Sequence, residues 1–267
     1  MNIRIPDSSK EFLDDAGQLS RFVWRFVSEG LRPRYELGEF VRQCYVVGYK
    51  SLPLVGLTAF IMGLVLTMQL RPTMVYYGVE SQIPAMVGIS IVREIGPILT
   101  ALIFAGKIGS SIGAELGSMK VTEQIDAMEV SGTNPFKYLV VTRSFATMLM
   151  LPILVVIADA ISLYGSYLGV NIYENTSLTL FFRKVFDNLA YLDVVPAFAK
   201  TFFFGFAVGI IGCYKGRFFA IETKVGKNTP TPEQQAFLQS VRDNGGIAFA
   251  AWSLDDIDAG FGWEAYR

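Results

Sequence analysis

The sequence predicts an all-α polytopic membrane protein: an interfacial N-terminal helix, four transmembrane helices and a short α/β-like soluble tail. Three observations carry this. Of the 267 residues, 52% are hydrophobic and only 18% charged, where a soluble domain has about 25% charged. The apolar excess is gathered into four long blocks. After Gly216 the pattern changes, and "GRFFAIETKVGKNTPTPEQQAFLQSVRDNGGIAFAAW" reads as strand, turn, helix and strand.

Composition narrows the chemistry. The chain has no histidine, so histidine triads, histidine metal sites and histidine proton relays are excluded. Cys44 and Cys213 are its two cysteines, in no metal-like spacing and with no disulfide framework. The net charge of −1 points to no nucleic-acid partner. The opening "MNIRIPDSSKEFLDDAGQLS" lacks the apolar region of a secretory signal.

The elements follow in order. Residues 1–50 form an N-terminal cytoplasmic or interfacial helical segment. Phe22, Val23, Phe26 and Val27 lie among Arg21 and Arg25, with Trp24 between them. That pattern suits a helix on a membrane surface, or a soluble amphipathic helix packed on a partner. Residues 51–215 form the membrane domain. Its first span, Leu52 to Leu70, has no charge in 19 residues. At about 1.5 Å per residue it crosses a hydrocarbon core of roughly 30 Å. The second, Ala85 to Gly106, holds Arg93 and Glu94 near its middle. Intramembrane charges are functional candidates, unless a break at Gly96-Pro97 leaves this pair near an interface. The third, Leu139 to Val170, contains Pro152, a kink site, and Asp159, a further intramembrane charge. The fourth, Val194 to Gly212, has Lys200 near its start. Basic residues concentrate before Leu52, in 107–138 and after Gly212, which places the N-terminus, that loop and the C-terminus in the cytoplasm.

Within the 107–138 loop, "VTEQIDAMEV" reads as a short amphipathic helix. Thr122 would be its N-cap, and Ile125, Met128 and Val130 its apolar positions. With Glu123, Asp126 and Glu129 it is an acidic docking element suited to a basic groove.

The stretch "REIGPILTALIFAGKIGSSIGAELGSMKVTEQIDAMEVSGTNPFKYLVVTR" closely resembles MlaE-like permeases of MCE-associated lipid ABC transporters. The resemblance runs from about residue 10 to "GIIGCYKG" near Lys215. It implies a homodimer that binds phospholipid between its halves and helps move it between the inner and outer membranes, maintaining lipid asymmetry. The implied partners are a cytoplasmic ABC ATPase and a periplasmic MCE-domain protein. The implied location is the bacterial inner membrane. Glu115, Leu116, Gly117, Met119, Val121, Glu123, Gln124, Ile125 and Asp126 match the family's ATPase-coupling region, and Arg93 and Glu94 open its conserved stretch. No Walker motif is present. The chain is therefore expected to be no enzyme and to hold no cofactor, with ATP bound by a partner.

The family's chain continues into a fifth span, whereas no long apolar run follows Gly212 here. Residues 216–267 instead resemble the second half of a VRR-NUC nuclease domain, on Glu222 and Lys224 as E-x-K, with Gln234 nearby. In that family the Glu helps hold a divalent metal. The further carboxylates of that cage are missing upstream, so no metal and no cleavage are expected. The chain reads as a chimera, with a permease joined to a vestigial half-domain. The alternatives are a truncated permease remnant that does not function, or a membrane-tethered nuclease.

Overall fold

The structure, a computed structural model, describes residues 7–32, 36–213, 219–223 and 247–251, with a few positions between the last two segments. Among the described residues, four helical stretches are long and apolar enough to cross a membrane: Leu37–Tyr76, Glu80–Val121, Phe136–Asn171 and Tyr191–Cys213. The expected all-α, four-span architecture is what the chain adopts. Each span extends beyond its apolar block, because intrahelical hydrogen bonds continue past the last apolar residue.

The first stretch is α2 (Leu37–Val47), a tight turn at Tyr49–Ser51, and α3 (Leu52–Tyr76); α1 (Asp7–Gly30) precedes it. The second comprises α4 (Ile83–Ser90), α5 (Gly96–Phe104) and α6 (Ser110–Val121). Wider π-helical turns join them at Ile91–Ile95 and Ala105–Gly109. The first π turn directly precedes Gly96-Pro97. Pro97 has no N–H to offer the preceding turn, and a widened turn absorbs that break without ending the helix. After α7 (Gln124–Val130) comes the 30-residue α8 (Thr142–Asn171), entered through a π segment at Phe136–Val141. It runs through Pro152 as one helix. Then follow α9 (Leu178–Asn188) and α10 (Tyr191–Cys213).

The chain divides into two units. In the unit of residues 34–108 and 141–210, α3 and α8 meet along a seam of small residues. A β-carbon on Gly63 would overlap the carbonyl oxygen of Ser162, and one on Gly165 would overlap that of Phe60. Thr67 and Ser166 share a buried hydrogen bond of 2.7 Å in the same seam. Among lipid tails, water expulsion does not drive helices together. Close backbone approach and polar contacts supply the attraction, each such hydrogen bond about 0.6 kcal/mol on average. The α10 helix packs on α8 in the same way, with Gly205 and Gly209 against Thr147 and Ser144.

α9 falls in the 171–193 stretch that sequence reading leaves as a loop. Ser177 caps it, its hydroxyl accepting from the Leu180 N–H at 3.3 Å. Phe181 and Val185, one turn apart, are fully buried with Ile83, Val87, Ile91, Leu163 and Val170. Gly88 leaves the space that Val185 fills.

The other unit holds residues 1–33, 109–140 and 211–267. Here α6 ends at Val121 and α7 starts at Gln124. The turn between them is made by Glu123, at φ 56° the one non-glycine residue with positive φ among those described. Thr122 is not the N-cap of the following helix: its hydroxyl donates back to the Ser118 carbonyl at 2.8 Å and closes α6. The bend falls after Thr122, so the hydroxyl belongs to the helix it follows. In the tail, β1 (Phe219–Thr223) and β2 (Ile247–Ala251) pair in parallel, with Phe219 opposite Ile247. The expected strands are both present, joined by a connection that is helical at residues 235 and 238–239.

Candidate functional site

Arg93 and Glu94 sit in the π turn of the second span, and both are paired with α10. Arg93 Nη1 lies 3.5 Å from Asp193 Oδ1. Lys200 Nζ lies 2.8 Å from Glu94 Oε1. Asp193 and Lys200 are seven residues apart, two turns of helix, and so share one face of α10. The π turn displaces consecutive side chains enough for adjacent residues to reach partners two turns apart. The result is a quartet of two anions and two cations, neutral in sum, on two membrane-crossing helices. Pairing is what such charges require in a low-dielectric layer. The quartet is not sealed: Arg93 is 60% exposed at its side chain, and Glu94 and Lys200 are about half exposed. Its polar atoms are therefore only partly covered.

Sequence reading identifies Arg93 and Glu94 but not their partners. Asp193 falls just before the fourth apolar block, Val194 to Gly212, and Lys200 near that block's start. Their i, i+7 spacing is the signal in the sequence, and it acquires meaning only once α10 is known to start at Tyr191.

Asp159 stands apart from the quartet. Among the described residues its Oδ1 is buried without a hydrogen-bond partner, and it lies against Gly96, where any β-carbon would overlap it. The neighbouring Ser162, 3% exposed, also has an unpartnered hydroxyl. Ser162 lines a cavity of about 140 Å³ together with Thr58, Met62, Gly96, Leu99 and Thr100.

The residues matched to a coupling region lie on α6 and α7 and the bend between them. Glu115, Leu116, Gly117, Met119 and Val121 are on α6; Gln124, Ile125 and Asp126 are on α7; Glu123 forms the bend. Asp126 is held across that bend by Lys120, 2.8 Å away. Glu123, Gln124 and Asp126 are exposed, Ile125 and Met128 are half-buried, and Val130 is 91% exposed. Of the nuclease-like positions, Glu222 lies on β1, and Lys224 and Gln234 lie outside the described residues.

Four helices long and apolar enough to cross a membrane, two of them joined by paired charges, define a multi-pass membrane protein. Residues 40–231 match the family model described as Permease MlaE, and the chain belongs to that family. The match runs past Lys215, where the resemblance read from sequence ends. The relatives are named as permeases of ABC transporters. A probable ABC transporter permease protein of Rickettsia felis is 38% identical over 221 residues, 82% of this chain and 85% of the relative. One from Synechocystis sp. is 35% identical over 225 residues, 84% of each. One from Pyropia yezoensis is 39% identical over 176 residues, 66% of this chain and 67% of the relative. The chain is an ABC transporter permease of the MlaE family, a transport subunit by class.

Proposed function

We propose that this permease binds phospholipid and moves it between the inner and outer membranes of a bacterial cell. It would do so as a homodimer that works with a cytoplasmic ATPase and a periplasmic MCE-domain protein. The observation that carries the reading is the half-exposed charged quartet on apolar helices. A phospholipid headgroup brings a phosphate and, in zwitterionic lipids, an amine. Arg93 and Lys200 suit the first, and Glu94 and Asp193 the second. The α3 face bearing Leu57, Ile61 and Met68 is exposed and apolar, which suits acyl chains or a second copy of the chain.

Coupling to the ATPase is assigned to α6–α7, on the family resemblance and on the exposed acidic side chains of the bend. The N-terminus, this segment and the tail are placed in the cytoplasm by the distribution of basic residues.

The test is purification from membranes followed by native mass spectrometry. We expect co-purification of an ATPase, a dimeric permease and bound phospholipid. Glu94→Gln combined with Lys200→Met should lower lipid occupancy while the dimer persists. Glu123→Lys with Asp126→Lys should release the ATPase, since charges at such a contact fix register and association. Lipid occupancy unchanged by the first pair, or ATPase retained with the second, would refute the corresponding assignment.

A further inference from the structure

The α1 helix presents three different sectors. One is packed: Phe26 is 5% exposed, and Phe22 meets Phe136 edge-on with ring centroids 5.3 Å apart. The Arg25 guanidinium sits 4.3 Å from the centroid of that same ring. Asn134 Nδ2 donates to Glu29 Oε2 at 3.4 Å, and Lys137 Nζ to the Arg32 carbonyl at 2.8 Å. The last turns of α1 and residues 134–137 are thus one packed element. A second sector is apolar and exposed: Trp24 at 75%, Val27 at 42% and, continuing the helical spacing, Leu31 at 79%. The third is basic. Arg21 on α1 and Arg32, two residues past its end, are exposed, and Arg32 Nη1 also lies 3.3 Å from Glu29 Oε1.

This arrangement has one fitting occupant. Phe136, the residue α1 grips, begins the stretch that crosses the membrane as Phe136–Asn171. The helix is therefore fastened where the chain enters the bilayer. An indole and two aliphatic side chains flanked by guanidinium groups match the boundary between acyl chains and negatively charged headgroups. On its other side the gripped segment leads, after three residues, back to Val130 at the end of α7.

We propose that α1 reads the anionic-lipid content of the membrane surface and, through its grip on Phe136, sets the position of the α6–α7 segment. The second half of this proposal rests on α6–α7 being the ATPase contact. The sectors assign the parts: Trp24 and Leu31 enter the apolar layer, Arg21 and Arg32 take lipid phosphate, and Phe22 and Arg25 hold the relay.

The test has two arms. In the full chain with Trp252→Phe and Trp263→Phe, Trp24 is the sole tryptophan. The chain is reconstituted without ATPase in brominated phosphatidylcholine, alone or with increasing phosphatidylglycerol. Quenching of Trp24 should rise about threefold with the anionic lipid, and Arg21→Gln with Arg32→Gln should flatten that response. In the second arm the intact complex is assayed in the same lipids. Its ATPase rate should rise with anionic content, and Phe136→Leu should abolish the rise while Trp24 quenching persists. Quenching indifferent to phosphatidylglycerol overturns the lipid assignment. An ATPase rate indifferent to it, in a complex that still co-purifies, overturns the relay. Failure of the ATPase to co-purify at all would strike the coupling reading instead, and the tryptophan arm, which needs no ATPase, would still decide the lipid assignment.

Discussion

Lys200 Nζ and Glu94 Oε1 lie 2.8 Å apart, joining the fourth crossing helix to the π turn of the second. Reversing one member, as in Glu94→Lys, sets two cations face to face beside the Arg93–Asp193 pair. The exchange Glu94→Lys with Lys200→Glu restores opposite signs. We expect the single reversal to lower the thermal midpoint in detergent and the exchange to regain most of it. Both side chains are about half exposed, so the coupling energy should fall near the lower end of the usual range, about 0.5–1 kcal/mol. A double variant no more stable than the sum of its singles would show that the pair does not hold the helices together.

The seam between α3 and α8 gives a steric prediction. Gly63→Ala and Gly165→Ala each place a methyl group against a backbone carbonyl of the facing helix. Each should cost about 1–3 kcal/mol, as overpacking does. Gly106→Ala, with nothing within 4 Å of the added carbon, is the control and should be neutral or mildly stabilising. Thermal scans of the three purified variants decide it, and equal midpoints would contradict the seam.

Ser81 and Ser118 stand at opposite ends of the helix Glu80–Val121. In a background with Cys44→Ser and Cys213→Ser, a cysteine at position 81 should react with an impermeant maleimide on intact spheroplasts. A cysteine at position 118 should react only after lysis. The reverse pattern would invert the proposed orientation.

For the tail, limited proteolysis of the purified chain should cut after about Lys215 and leave the four crossing helices intact. Among the described residues the two strands pair only with each other, and a two-stranded sheet is marginal alone. The chain should not cleave DNA with magnesium or manganese. Metal-dependent cleavage abolished by Glu222→Ala would require re-reading the tail as a working nuclease.

The spans are legible because length and apolarity are local properties: Leu52 to Leu70 declares itself without reference to any other segment. The seam is not legible in the same way. Gly63 and Gly165 are two glycines among 25 in the sequence, and which of them touch depends on the pairing of helices about 100 residues apart. Asp193 is missed for a related reason, since its partner lies across a helix contact. α9 was within reach, with Ser177 before Phe181 and Val185 at helical spacing, but its charged residues give the stretch the look of a loop. Thr122 shows the limit of capping patterns. The residue is suited to either helix, and the left-handed turn at Glu123 decides which one it closes.

Thr67 has a consequence for the order of assembly. Its hydroxyl bonds both to Ser166 across the seam and, at 2.9 Å, to the carbonyl of Gly63 in its own helix. During synthesis α3 enters the bilayer long before α8 exists. In that interval the internal bond engages the hydroxyl hydrogen, so the groove at Gly63 shows lipid no unbonded O–H. The first helix can thus wait as a self-sufficient intermediate. The bond to Ser166 forms only when the third crossing helix arrives, so the joining of these two helices is a late step in biogenesis.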